Sequence, residues 1–299
     1  MKKIIILFLI TLLAFSTTAQ AELITRETAD NIYILQSTVT ELEEFFSKHN
    51  YQRFNLLDKD AFPKIYLTTF PTDYQDIPSQ KKRNELFIRI LAPIALKINE
   101  ELTNERKKLL RIERKHMQKG TLTEQENEQL EILALKYDCF TRSQGPARIN
   151  EFIEKLKLRL NIIPPSILIA ISAMETNWGS SRVVNKANSL YKEKVWYTDE
   201  GLEPLENKDD GYRFKIFSDI TDSMRSFART FNSDKKFYHV WVARDMAIKR
   251  HGKAIGETLA YTLSTASNLP NYAGILDYIS TFYNLYSIDI GHLENLTTE

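Results

Sequence analysis

The chain has a single cysteine, Cys139, so it closes no disulfide on itself. Glycine and proline are scarce, nine of each in 299 residues. So few breakers exclude a many-turned β-sandwich and favour long helices. Neither sign of charge dominates, with 40 Lys and Arg against 39 Asp and Glu. A nucleic-acid binder would show a basic excess on one face, so that class is set aside. The five histidines, His49, His116, His239, His251 and His292, are never three or four apart, and none neighbours Cys139. That spacing argues against a zinc or haem site. There is no Gly-rich phosphate loop either, and no cofactor is expected.

The remaining composition, 43% hydrophobic and 26% charged, is that of a globular protein. At the N-terminus Lys2 and Lys3 precede an apolar run from Ile4 to Phe15, followed by Ser16, Thr17, Thr18 and Ala19-Gln20-Ala21. This charged, apolar, small-residue order is that of a secretory signal peptide. The run falls short of the roughly twenty residues that span a bilayer. Residues 1–21 are therefore expected to be removed, leaving an exported protein with no stable membrane insertion.

Apolar spacing predicts a helix over 31–50 and a long one over 82–118 with Pro93 inside it. Residues 51–80 read as irregular. Thr123 and Glu126 form a capping box that should open a helix reaching Tyr137. A further helix is expected over 147–160. Beyond residue 161 the pattern predicts helices over 167–178, 218–232, 237–250, 252–264 and 271–286. Between them, aromatic runs at 195–197 and 212–217 read as a small β-hairpin. The expected architecture is mainly α (α+β): a helical domain over 161–290 with a small β-hairpin lobe, preceded by a helical extension over 22–160.

Glu175 is the leading chemical candidate. It shares a helical stripe with Leu168, Ile171 and Trp178, and a carboxylate on an apolar stripe is costly unless paired or protonated. Gly179 should stop the helix, which leaves Glu175 about one turn from the negative end of the dipole. That setting suits a general acid. It equally suits a carboxylate paired inside a core, with Arg182 the nearest candidate partner.

The stretch from Pro164-Pro165-Ser166 through Ala173-Met174-Glu175 to Trp178-Gly179 and Arg182 resembles the signature helix of bacterial glucosaminidases of glycoside hydrolase family 73, most closely their Bax-like exported branch. Asn188-Ser189-Leu190-Tyr191 resembles the family's Asn-Asn-Leu-Phe stretch. Phe214-Lys215-Ile216-Phe217 with Ser223, and the segment from Ser264 to Ala273, match further motifs in the same order. Ile65-Tyr66-Leu67-Thr68 is similar to the Bax-like extension. The resemblance implies a lysozyme-like α-rich fold with a small β-lobe, and cleavage of the bond from N-acetylglucosamine to N-acetylmuramic acid in peptidoglycan. It makes Glu175 the general acid and Tyr272 the site tyrosine, although Tyr272 without the resemblance reads rather as core. Two departures stand out: Ser189 replaces the second Asn, and Lys192 replaces the Gly that usually follows.

A second carboxylate should come from the lobe. Glu193, Asp199, Glu200, Glu203, Glu206, Asp209 and Asp210 are available, and position relative to Phe214 favours Asp209 or Asp210; Asp210 is carried forward. Should none reach the site, the substrate's own N-acetyl carbonyl could act as nucleophile. Aromatic faces stack on sugar rings, so Trp178, Tyr191, Trp196 and Phe217, with Asn188, are expected to bind substrate. The expected partner is the peptidoglycan glycan strand, met by a monomer in the periplasm. A lytic transglycosylase and a non-catalytic wall-binding protein are the rival readings.

Overall fold

The computed structural model describes residues 23–51, 60–206 and 210–295. The expected signal peptide and Asp209 lie outside them. The organising element is α2, Gln80–Lys119, forty residues long. Ser79 caps its start, its side chain accepting from the Lys82 N–H. Gly120, at φ 72°, ends it in the left-handed conformation. The helix runs on through Pro93. From Leu86 to Leu96 every residue is buried, whereas later only Ile98, Leu102, Leu109, Ile112 and His116 are. Its first half is thus enclosed on all sides and its second half is amphipathic, with the charged face in solvent.

Several of the later helices pack against α2. The capping box at Thr123 and Glu126 is present and opens α3, Glu124–Lys136. Next come α4, Gly145–Arg159, and α5, Pro165–Thr176, the latter buried from Pro165 to Ala173. A short α6, Arg182–Ala187, was not foreseen. It is followed by α7, Ile220–Ser233, capped by Asp219, and by α8, Tyr238–His251. The helix expected over 252–264 is instead a short α9, Gly256–Leu259, continued by a 3-10 segment at Ala260–Thr265. The chain then forms α10, Tyr272–Phe282. α2 packs against both α5 and α7.

The N-terminal region is less helical than its periodicity suggested. β1, Ile24–Glu27, pairs antiparallel with β2, Ile32–Gln36. Only after Thr38 caps it does α1, Val39–Lys48, begin. The single helix expected over 31–50 is therefore a strand followed by a helix. The Thr38–Glu41 capping box sets that boundary, and the β-branched and aromatic Ile32-Tyr33-Ile34 suits a strand. Residues 51–80, expected to be irregular, contain β3, Ala61–Pro63, and β4, Ile65–Leu67. β4 joins β2 in parallel, with Ile32 opposite Ile65. β3 pairs in parallel with β7, His292–Glu294, near the C-terminus. The expected hairpin forms from β5, Lys194–Trp196, and β6, Tyr212–Phe214. Gly201 is required there: a Cβ on it would lie 2.8 Å from the Phe214 carbonyl oxygen.

The start of α5 is fixed by Asp289. Its Oδ1 accepts the Ser166 N–H at 2.8 Å, and its Oδ2 accepts the Ser166 hydroxyl at 2.8 Å and the Gly256 N–H at 2.6 Å. Burial pushes this carboxyl up to about 6, against the pull of those three donors. A raised folded-state value means that the folded chain holds the proton more tightly than the unfolded one. The contribution is complete below about pH 4 and disappears as pH rises through 6, about 3 kcal/mol in all. Replacing Asp289 by Asn should remove that slope. Denaturant titrations at pH 4.5 and 7 should then differ less for Asp289→Asn than for the parent, and an unchanged difference would rule the assignment out.

Among the described residues no helix is long and apolar enough to cross a membrane.

Candidate active site

Glu175 sits in the last turn of α5, one residue before the helix ends. The chain then takes three consecutive left-handed residues, Asn177 (φ 49°), Trp178 (φ 57°) and Gly179 (φ 77°). That turn is held from outside: the Tyr74 hydroxyl donates to the Trp178 carbonyl at 2.9 Å, and Gln75 Nε2 donates to the Ser180 carbonyl at 2.9 Å. Gly179 leaves no room for a side chain, since a Cβ would meet Phe70, Phe87 and Tyr74 at 3.0–3.1 Å. The carboxylate of Glu175 is thus presented by a rigid element, with its side chain 32% exposed.

Its ionic partner is Lys192, with Nζ 3.8 Å from Oε2. Arg182, the partner considered from sequence, instead donates to the Glu203 carbonyl at 2.8 Å and ties α6 to the lobe. Lys192 has φ 49°. A left-handed backbone costs a residue with a side chain roughly 1–2 kcal/mol, so this is a site where glycine would be easier. The flanking residues enforce it. Tyr191 is stacked on Phe227 of α7, with centroids 3.9 Å apart and planes at 6°, and its hydroxyl donates to the Leu168 carbonyl of α5 at 3.2 Å. On the other side, Glu193 Oε2 accepts the Ser226 hydroxyl of α7 at 2.8 Å.

Tyr272, at the first position of α10, joins this group. Burial, and secondarily the charge of Glu175, push its phenol well above the usual range. Burial does the same to Tyr191, with further contributions from Glu193 and Tyr272. Glu193 is itself raised by burial, partly offset by Ser226, Lys215 and Arg229. The structure therefore brings together Glu175, Lys192, Tyr272 and Tyr191, with Glu193 behind Tyr191 and turned toward α7.

Other expected site residues are placed elsewhere. Trp178 is buried between Phe87 of α2 and Tyr283, at centroid distances of 5.7 and 4.6 Å, so it offers little face to a ligand. Tyr191 and Phe217 are each 7% exposed and serve packing in this structure. Asn188, left-handed at the end of α6, donates through Nδ2 to the Phe217 and Ser218 carbonyls and latches the base of the lobe. Asp210 stands beside Gly211 at the far end of the β5–β6 hairpin, where the Tyr197 N–H donates to the Gly211 carbonyl. The hairpin stem is marked by the Lys215 N–H donating to the Glu193 carbonyl. Four residues of strand separate the two ends, about 13 Å, so Asp210 is not gathered with Lys192 and Glu175. Trp196 is 52% exposed on the hairpin beside Tyr212, with Lys194 Nζ 3.7 Å from the Tyr212 ring centroid. It remains open to a ligand.

A partly exposed carboxylate at the end of a buried helix, beside a buried tyrosine and a small aromatic lobe, is an arrangement that a glycosidase acid site can use. The glucosaminidase family model, described as mannosyl-glycoprotein endo-beta-N-acetylglucosaminidase, matches residues 150–285. That match supports a glucosaminidase domain of the glycoside hydrolase family 73 type, a type of peptidoglycan hydrolase, over this stretch. No curated protein matches the chain. Among solved structures it is similar to the catalytic domain of the autolysin Auto from Listeria monocytogenes. The identity is 17%, over 56% of this chain and 98% of that one, with a TM-score of 0.29.

Proposed function

We propose that the protein is an endo-β-N-acetylglucosaminidase that cleaves the bond from N-acetylglucosamine to N-acetylmuramic acid in peptidoglycan, exported to act in the periplasm. The observation that carries this reading is the placement of Glu175, offered to solvent from a buried helix beside Tyr272 within the family-matched region. Glu175 donates its proton to the glycosidic oxygen, which leaves as the 4-hydroxyl of the muramyl ring. Tyr272 orients the sugar against it. Asp210 lies at the hairpin tip and Glu193 is bound to Ser226. That arrangement favours the substrate's acetamido oxygen as nucleophile at C1. Its cyclic intermediate is then opened by water, which restores the acetamide and leaves a reducing N-acetylglucosamine. Trp196 on the lobe stacks on a neighbouring ring.

The test is mass spectrometry of fragments released from purified peptidoglycan by the protein and by Glu175→Gln. Fragments with a reducing N-acetylglucosamine are expected, at a rate about a thousandfold lower for the variant, the middle of the usual range for a lost acid. Anhydro-muramyl ends would instead establish the transglycosylase. Binding without cleavage by either form would establish a wall-binding protein.

A further inference from the structure

Of the four residues gathered at the site, Glu175, Lys192, Tyr272 and Tyr191, Lys192 is the one with a left-handed backbone. Its neighbours on both sides are fixed to α5 and α7. Strain held at a site in this way points to a task for the side chain. The side chain is 39% exposed and its Nζ stands 3.8 Å from Glu175 Oε2, beyond hydrogen-bond distance, so its donors remain available to an anion in the groove.

Which anion follows from the bond being cut, and here the inference rests on the proposed function. The acid must touch the oxygen it protonates. For a bond from N-acetylglucosamine to N-acetylmuramic acid, that oxygen is O4 of the muramyl ring. The lactyl ether is carried by O3, on the adjacent ring carbon. Whatever lies beside Glu175 therefore lies beside the lactyl group. In peptide-bearing wall the lactyl carboxyl is an amide with no charge. Once the peptide has been removed, it is a free carboxylate.

We propose that Lys192 is a carboxylate-binding point for the free lactyl group of the muramyl residue on the leaving side, so that the site prefers glycan strands already stripped of peptide. A hydrolase of the lactyl amide bond would then have to act on the strand first. If the bond instead ran from N-acetylmuramic acid to N-acetylglucosamine, the leaving ring would carry a plain hydroxyl at O3 and Lys192 would face no charge.

The experiment uses a peptide-free tetrasaccharide of alternating N-acetylglucosamine and N-acetylmuramic acid, as the free acid and with its lactyl carboxyls converted to methylamides. Binding is measured by calorimetry for Glu175→Gln, which prevents turnover, and for Glu175→Gln with Lys192→Gly. Glycine suits the left-handed position, so the second variant folds at least as well as the first. The first should bind the free acid about five- to tenfold more tightly than the methylamide, and the second should bind both equally. Added salt should erode the preference. Equal binding of the two ligands by the first variant, or a preference that survives in the second, overturns the role of Lys192. Cleavage by the parent protein is followed in parallel. A Lys192-dependent preference without cleavage keeps this inference and overturns the hydrolase, while cleavage with no preference does the reverse. Binding of neither ligand overturns both.

Discussion

A fragment beginning at Gly145, which retains the whole family-matched region, is expected not to fold. The reason is α2. Its residues Leu86 to Leu96 are enclosed by the rest of the chain, and α5 packs directly on them. Removing α2 strips Phe87 from Trp178 and, with the segment before it, Phe70 and Tyr74 from Gly179. It also removes Asn99, whose amide donates to the Ile163 carbonyl at 2.7 Å and accepts the Ile163 N–H at 2.9 Å, and Glu101, which grips Arg225 at 2.7 and 2.9 Å. Each large apolar side chain withdrawn from burial costs about 1.5–3 kcal/mol. A domain has only about 5–15 kcal/mol to lose, so a handful of such losses exceeds the total. The fragment should keep helical far-ultraviolet dichroism, lose its near-ultraviolet signal and bind hydrophobic dyes. A sharp cooperative unfolding transition in the fragment would show instead that residues 23–144 are an accessory arm.

That interdependence was only partly visible in the sequence. The length and position of α2 could be read from its apolar stripe and from Gly120, and the capping boxes at Thr123 and Thr38 are local signals. The burial of its first half on every side could not be read, because a stretch of eleven residues that is apolar but for Arg89 looks the same in a central helix and in a thick amphipathic one. The strands at 32–36, 61–63 and 65–67 were missed for a related reason. Each is short, and β3 and β4 depend on partners far along the chain, β3 on β7 above all. In the site, Glu175 stood out as a carboxylate on an apolar stripe, and Tyr272 emerged through the family motif. Lys192 had a signal too, as a lysine where glycine is usual. Only the fold could show that its ammonium turns toward Glu175. Trp178 and Tyr191 misled because an aromatic ring at helical spacing can face a groove or a neighbouring helix, and α2 and α7 claimed them.

The residue whose loss should cost most stability is Arg244. It is fully buried on α8 and faces the C-terminal end of α4. Nη1 donates to the Ile162 carbonyl at 2.9 Å and to Asn232 Oδ1 at 2.8 Å, and Nη2 donates to the Arg159 carbonyl at 2.6 Å and the Leu158 carbonyl at 3.3 Å. Arg106 of α2 reaches the same end, at the Lys157 and Leu160 carbonyls. A helix end leaves its last carbonyls without partners, and its dipole favours a cation there. Two guanidinium groups therefore finish α4 and hold the turn that leads into α5. The arrangement has a cost, since burial pushes the Arg244 guanidinium down to about 9. It persists because the planar fork satisfies several carbonyls at once. Methionine in its place would leave those carbonyls buried and unpaired at 1–3 kcal/mol each, partly relieved by local relaxation, so Arg244→Met should lose about 4 kcal/mol. Arg244→Lys should recover little, because one ammonium cannot reach both rows of carbonyls. Urea denaturation of the three proteins would measure both effects. A loss below about 1 kcal/mol for the methionine variant, the ordinary size of a surface change, would mean that α4 and α5 are joined by packing alone. Because α5 carries Glu175, the proposed acid, the same substitution should also depress the proposed glycan cleavage at temperatures where the chain is still folded, through a displaced acid rather than a missing one.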